Sequence, residues 1–122
     1  MKSARHKLVK HSGGITHFAE VAVECSDVAN GPIVQVAPSA IEGRFDDWRS
    51  AAERGVWYAL RHAAPPLQLS GLRVSVTSIV GLLVDTCESA VAAAAAHATW
   101  DALGVEGAPA PRFEGRAIVF ES

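Results

Sequence analysis

Residues 17–25 read HFAEVAVEC. Ala19, Val21, Val23 and Cys25 fall on one side of an extended chain, and Glu20 and Glu24 fall on the other. That period-two alternation is the signature of a half-buried strand. In front of it stands KHSGG (10–14), whose adjacent glycines suit a turn or a close backbone approach to another molecule. Behind it, SDVANGP (26–32) carries Asn30-Gly31, the strongest short turn signal, with Pro32 closing it. IVQVA (33–37) then reads as a second strand, expected antiparallel to the first.

Past the loop PSAIEGR (38–44) the period changes. From about Asp46, the residues Trp48, Ala51, Ala52, Val56, Ala59 and Leu60 recur at helical spacing. Gly55 lies within that apolar stripe, where glycine costs about 1 kcal/mol against alanine; close packing of the helix backbone on the sheet would compensate. AAPP (63–66) ends the helix. Leu72, Val74 and Val76 alternate with Arg73, Ser75 and Thr77 as a third strand, and SIVGLLV (78–84) reads as a loop or a strand extension. Asp85 and Glu88 form a capping box for a second helix, which runs to about Leu103 and is closed by Gly104. VEGAPAPR is an irregular connector, and RAIVF (116–120) a last strand. The expected fold is α+β: a two-layer sandwich of about four strands backed by two helices. We read residues 1–122 as one domain, with 1–11 a basic N-terminal segment and 105–122 a C-terminal connector and strand.

Composition narrows the function. The chain has 122 residues, 49% hydrophobic and 20% charged, with a formal net charge of −2. That balance suits a globular domain and argues against a whole-surface nucleic-acid binder. The charge is nevertheless uneven: Lys2, Lys7 and Lys10 all lie in the first ten residues, beside Arg5, His6 and His11. Such a segment is either a solvated tail or a surface that meets something anionic. Cys25 and Cys87 have no CxxC spacing, so reduced thiols and a cytoplasmic location are expected. The basic start runs into SGGITH rather than an apolar signal core, and AVAAAAAHATW (90–100) is too short to span a bilayer, so no membrane partner is expected.

The chemistry of an enzyme is not visible. No GxxxxGK[ST] loop is present, so no nucleotide is expected. The five histidines (6, 11, 17, 62 and 97) show no HxH or HExxH spacing, which leaves no metal and no cofactor to expect. Cys87 lies near a helix start, where the dipole favours a thiolate, but His97 is about three turns away and too far to serve as its base. With no paired acid and base, the chain is read as a non-enzyme.

Three pieces in register carry a resemblance. KLVKHSGGITHFAEVAVEC supplies Ser12, Gly13, Gly14, Phe18 and Val21; FDDWRSAAERGVWYAL supplies Glu53, Arg54, Gly55, Val56, Ala59 and Leu60; LRVSVTSIVGLLVDTCESAVAAAA supplies Val84, Asp85, Thr86, Cys87 and Glu88. Together they resemble domain IV of bacterial translation elongation factor G, over roughly residues 5 to 103. The resemblance implies the fold of the second domain of ribosomal protein S5, with a left-handed βαβ crossover. It also implies two tip loops that face ribosomal RNA. Carried over, the first is Ser12, Gly13, Gly14, Ile15, Thr16 and His17, joined by Lys7, Lys10 and His11 as an RNA- or ribosome-binding set. The second is Ser78, Ile79, Val80, Gly81, Leu82 and Leu83. This second loop departs from the family, being apolar where the family is polar, with Leu82 at the usual histidine position; apolar residues suit protein or self contact. The expected partner is the ribosome or a structured RNA, without GTPase activity. The alternative is a diverged domain acting through protein interaction or as a homodimer.

Overall fold

The computed structural model describes residues 2–12, 14–37, 46–62, 71–81, 88–105, 111–114 and 117–120. In chain order the elements are β1 (Lys2–Ser12), β2 (Ile15–Asp27), β3 (Ile33–Val36), α1 (Asp46–Arg61), β4 (Leu72–Val80), α2 (Glu88–Leu103), β5 (Arg112–Glu114) and β6 (Ala117–Val119). Strands β1 to β4 form one mixed sheet in the order β1-β2-β4-β3, and β5 and β6 form a separate antiparallel pair. Both helices stack on one face of the sheet, giving the two-layer α+β sandwich expected from the periodicities.

The basic N-terminal segment is not a tail. Residues 2–12 pair antiparallel with β2 from Lys2↔Cys25 to Ser12↔Ile15. Alternation explains how so polar a segment can be a strand. Ala4 and Leu8 join the core, His6 is half-buried between them, and Ser3, Arg5, Lys7, Val9 and His11 are exposed.

β3 runs antiparallel to β2, as expected, but is not its neighbour in the sheet. β2 already pairs with β4, down to Asp27↔Leu72, and the Val28 N–H donates to the Gly71 carbonyl at 3.0 Å. That side of β2 is taken, so the chain crosses beneath β4 and adds β3 on its far side. There β3 runs parallel to β4 from Ile33↔Arg73 to Val36↔Val76. Asn30-Gly31 therefore belongs to a link between non-adjacent strands, and β3-α1-β4 is a parallel crossover. Of the two readings of 78–84, the strand extension holds for 78–80, which continue β4 as Ser78↔Ala22, Ile79↔Val21 and Val80↔Glu20 and are strand rather than part of a second tip loop. A register shift between Ala22 and Val23 leaves Thr77 as the extra residue of a bulge. Its hydroxyl donates to the Ala22 carbonyl at 3.3 Å.

α2 is the centre of the helical layer. Its residues from Ala90 to Ala96, with Ala98, Thr99, Trp100 and Ala102, are buried. A helix apolar all round must be covered all round: the sheet lies on one side, α1 on another, and β6 also touches it. The Trp100 indole N–H donates to the Ala59 carbonyl of α1 at 2.9 Å. The C-terminus ends in a Schellman motif, with Gly104 at φ 70°, its N–H on the Asp101 carbonyl at 3.3 Å and the Val105 N–H on the Trp100 carbonyl at 2.9 Å. The capping residues Asp85, Thr86 and Cys87, the loop 38–44 and the AAPP segment lie outside the described residues.

Gly55 packs on α2, not on the sheet. A Cβ built there would fall onto the carbonyl group of Ala92. Both neighbours are helix backbone, so no rotamer change can make room. Alanine would gain about 1 kcal/mol of helix propensity, but forcing packed backbone apart costs about 1–3 kcal/mol, toward the upper end when nothing can yield. Gly55→Ala is therefore expected to destabilise the fold by about 2 kcal/mol net, read as a lower urea midpoint at unchanged slope. An unchanged or higher midpoint would mean that α1 does not approach α2 this closely.

Candidate nucleic-acid interface

β2 is longer than the part of β4 that flanks it. Its pairing with β4 ends at Glu20↔Val80, whereas its pairing with β1 continues to Ser12↔Ile15. The hairpin thus extends past the rest of the described sheet as a two-stranded arm, from Leu8 up one strand and back to Ala19. Gly14 sits in its turn at φ 81°, a conformation that favours glycine. Gly13 lies outside the described residues.

Strand parity sorts the residues of this arm. Lys7, Val9 and His11 are exposed on the open side of the sheet, Lys10 is exposed at the opposite parity, across from His17, and the His11 ring shares a 2.7 Å hydrogen bond between Nδ1 and the Thr16 hydroxyl opposite it. The Lys7 ammonium lies 5.9 Å from the centre of the Phe18 ring, and Val9, 53% exposed, is directly opposite Phe18. His17 points the other way and is only 2% exposed. Its side chain therefore belongs to the helix-facing side and not to the accessible tip. Of the second segment, Ile79 is 5% exposed and part of the core, Val80 is 41% exposed beside Glu20, and Leu82 and Leu83 lie outside the described residues.

Phe18, Val9 and Arg5 were missed as site residues. The signal that finds them is the parity of β1, which becomes readable only once the segment is recognised as a strand. Residues opposite one another share a face, so the open side of the sheet carries Lys7–Glu20–Val80 in one row and Arg5–Ala22–Ser78 in the next. Arg5 forms a 2.9 Å ion pair with Glu20. Further along, the Arg73 Nε–H donates to the Ser26 hydroxyl at 3.2 Å, and the Gln35 amide donates to the Ser75 hydroxyl at 3.0 Å.

On its inner side the arm is anchored by a histidine pair. The His6 ring stacks on His97 of α2 with centroids 4.6 Å apart, and Trp100 meets His97 edge-on at 5.4 Å. Asp101 Oδ2 is 3.7 Å from His6 Nδ1. Burial, and then the neighbouring His6, push the His97 imidazole below its ordinary pKa, with Asp101 pulling the other way. Burial also raises the Cys25 thiol to about 11, partly offset by Lys2, so this side chain is an inert core residue. Among the described residues no three His, Cys, Asp or Glu side chains converge as metal ligands do, and no helix is long and apolar enough to cross a membrane.

No family model and no curated protein matches the chain. Among solved structures, the crystal structure of a Thermus thermophilus protein matches with a TM-score of 0.67 at 20% sequence identity, over 85% of this chain and 16% of that one. The chain therefore spans about one sixth of the length of the protein it is similar to, and the likeness shows the fold. With 55 solved chains matching, that fold is widely used and assigns no activity by itself.

The lowered His97 pKa sets a pH dependence. The unfolded chain takes up a proton at His97 near pH 6.5, whereas the folded chain takes it up only at lower pH. The unfolded state thus binds more protons in that window, and stability rises with pH across it. The contribution is complete above about pH 6.5, shrinks as the pH drops through the window, and levels off below the folded-state pKa. His97→Gln should flatten this part of the curve, read from urea midpoints between pH 7.5 and 5 in wild type and variant. Parallel curves would show that His97 titrates normally in the fold.

Proposed function

We propose that the chain is a translation-related module that meets the ribosome or a structured RNA through the β1–β2 arm and works without GTPase activity. The observation that carries the reading is the arm itself. It places Lys10 and His11 on an exposed two-stranded projection, with Lys7 at its base and Phe18 held under the Lys7 ammonium. Cations beside an accessible aromatic face suit a phosphate backbone and an unstacked base, the two features that single-stranded and looped RNA offers. The resemblance of residues 5–103 to elongation factor G domain IV supports the same reading, since that family's tip corresponds to this arm. Gly14 adds a backbone that can approach an RNA strand without a side chain in the way.

The alternative through the apolar segment is narrower than the sequence suggests. Ile79 is committed to the core, so among the described residues Val80 is the exposed apolar group left for a protein contact or a homodimer there.

Co-sedimentation with ribosomes and separate subunits across a salt series tests the proposal. Binding should weaken steeply with salt. Changing Lys7 and Lys10 to Glu should reduce affinity at every salt concentration and make the logarithmic salt slope shallower by about 1 per lysine. Absence of binding even at low salt, or binding indifferent to both substitutions, would end this reading.

A further inference from the structure

The two edges of the sheet are finished differently. β3 is four residues long, and the Arg49 guanidinium donates at 3.1 Å to the Val36 carbonyl. Because the Ala37 N–H bonds inward to Val76, that carbonyl points outward, and Arg49 occupies the outer edge of β3. The other edge is β1. It is 11 residues long, bonded to β2 throughout, and no strand of the described residues pairs with its far side. Strands usually run to about ten residues at most, and a long free edge is a template for another strand.

The backbone groups on offer can be named. Only residues 13 and 14 separate the Ser12↔Ile15 pair, and such a two-residue connection closes on a hydrogen-bonded pair. Even-numbered positions of β1 therefore exchange bonds with β2. Ser3, Arg5, Lys7, Val9 and His11 turn their N–H and C=O groups outward.

Charge selects the occupant. β1 carries Lys2, Arg5, Lys7 and Lys10 and no carboxylate. In a second copy pairing edge to edge, no register could set an attractive charge pair across the two strands, and like charges opposite one another destabilise. Lysines on an edge therefore guard against self-association and leave an acidic strand as the complementary guest.

We propose that β1 accepts an extended acidic segment of a partner protein, which adds as a fifth strand along the outward edge from Ser3 to His11. Backbone bonds would supply the affinity and the cations the choice of partner. The inference uses the edge of the strand and stands independently of RNA binding at the arm.

The probe is a synthetic peptide of about ten residues alternating glutamate with valine or threonine, with two controls: a lysine counterpart, and a peptide of equal charge interrupted by proline. Titration into the whole chain by fluorescence anisotropy, with amide hydrogen exchange, should show the acidic peptide binding and slowing exchange at Arg5, Lys7 and Val9. The proline-interrupted peptide and the Lys7→Glu variant should each bind at least about tenfold more weakly. Val9→Pro, which removes an outward N–H and none of the bonds to β2, should abolish binding while leaving the thermal midpoint nearly unchanged. Equal binding of the proline-interrupted peptide would reduce the contact to charge alone and overturn strand addition. Protection of the same amides by single-stranded RNA but not by the peptide would overturn it in favour of nucleic acid. If Val9→Pro unfolds the chain, the two acidic peptides on wild type still decide.

Discussion

The close approach of the α1 backbone at Gly55 to the α2 backbone at Ala92 is the constraint on which the architecture turns. Helices carrying ordinary side chains at their contact sit about 8–10 Å apart. Glycine against alanine lets the two backbones meet with no side chain of α1 between them. Both helices can then share one face of a sheet only four strands wide. The run of alanines in α2 has the same purpose, because a helix covered by sheet and helix at once has little room for larger side chains. Among the described residues no layer covers the opposite face of the sheet, where Arg5, Lys7, Phe18 and Arg73 lie.

The arm depends on that layer. A two-stranded ribbon is marginal by itself in water, and this one reaches past the last β4 pairing. What steadies it is its inner side: Leu8 and Ala19 in the core, and His6 stacked on His97. Two imidazoles in face contact cannot both be charged cheaply. The pair holds best when at least one ring is neutral, and this adds to burial, the larger cause, in holding the His97 pKa below its ordinary value.

Much of this was legible in the residues, and the failures have causes. β2 was readable because one face is wholly apolar and the other acidic. α1 was readable from its spacing, and α2 from the capping pair Asp85 and Glu88 at its start and Gly104 at its end. β1 was hidden by its composition: its inner positions are filled by alanine, histidine and leucine between cations, so the alternation is weak on any hydrophobic scale. The place of β3 was misread because a strong local turn signal, Asn30-Gly31, says nothing about whether the neighbouring edge is free, and β4 had already taken it. Whether Ser78 to Val80 were loop or strand extension stayed open because the bulge at Thr77 shifts the alternation by one residue, which sends Ile79 inward where the earlier period would put Ser78. The candidate tip followed the same logic. His11 and Gly14 lie at the exposed end of the arm, whereas Lys10 and His17, opposite one another, take the other parity and His17 is buried, which a loop reading cannot supply.

Parity also separates stability from recognition on β1. Its even positions, Ala4, His6 and Leu8, are tied into the core and the helical layer, while its odd positions, Arg5, Lys7 and Val9, contribute exposed side chains and outward backbone groups. Exposed charges at such positions contribute little to stability, so the charge pattern of the outer side can change at little cost to the fold. The concentration of all three lysines on this one strand, in a chain whose net charge is negative, is then not a requirement of folding. A solubility role would be served as well by cations spread over α1 and the open sheet face. Among the described residues β1 is the long unpaired edge, and its cations without a single carboxylate are the pattern that the proposed anionic partner would need.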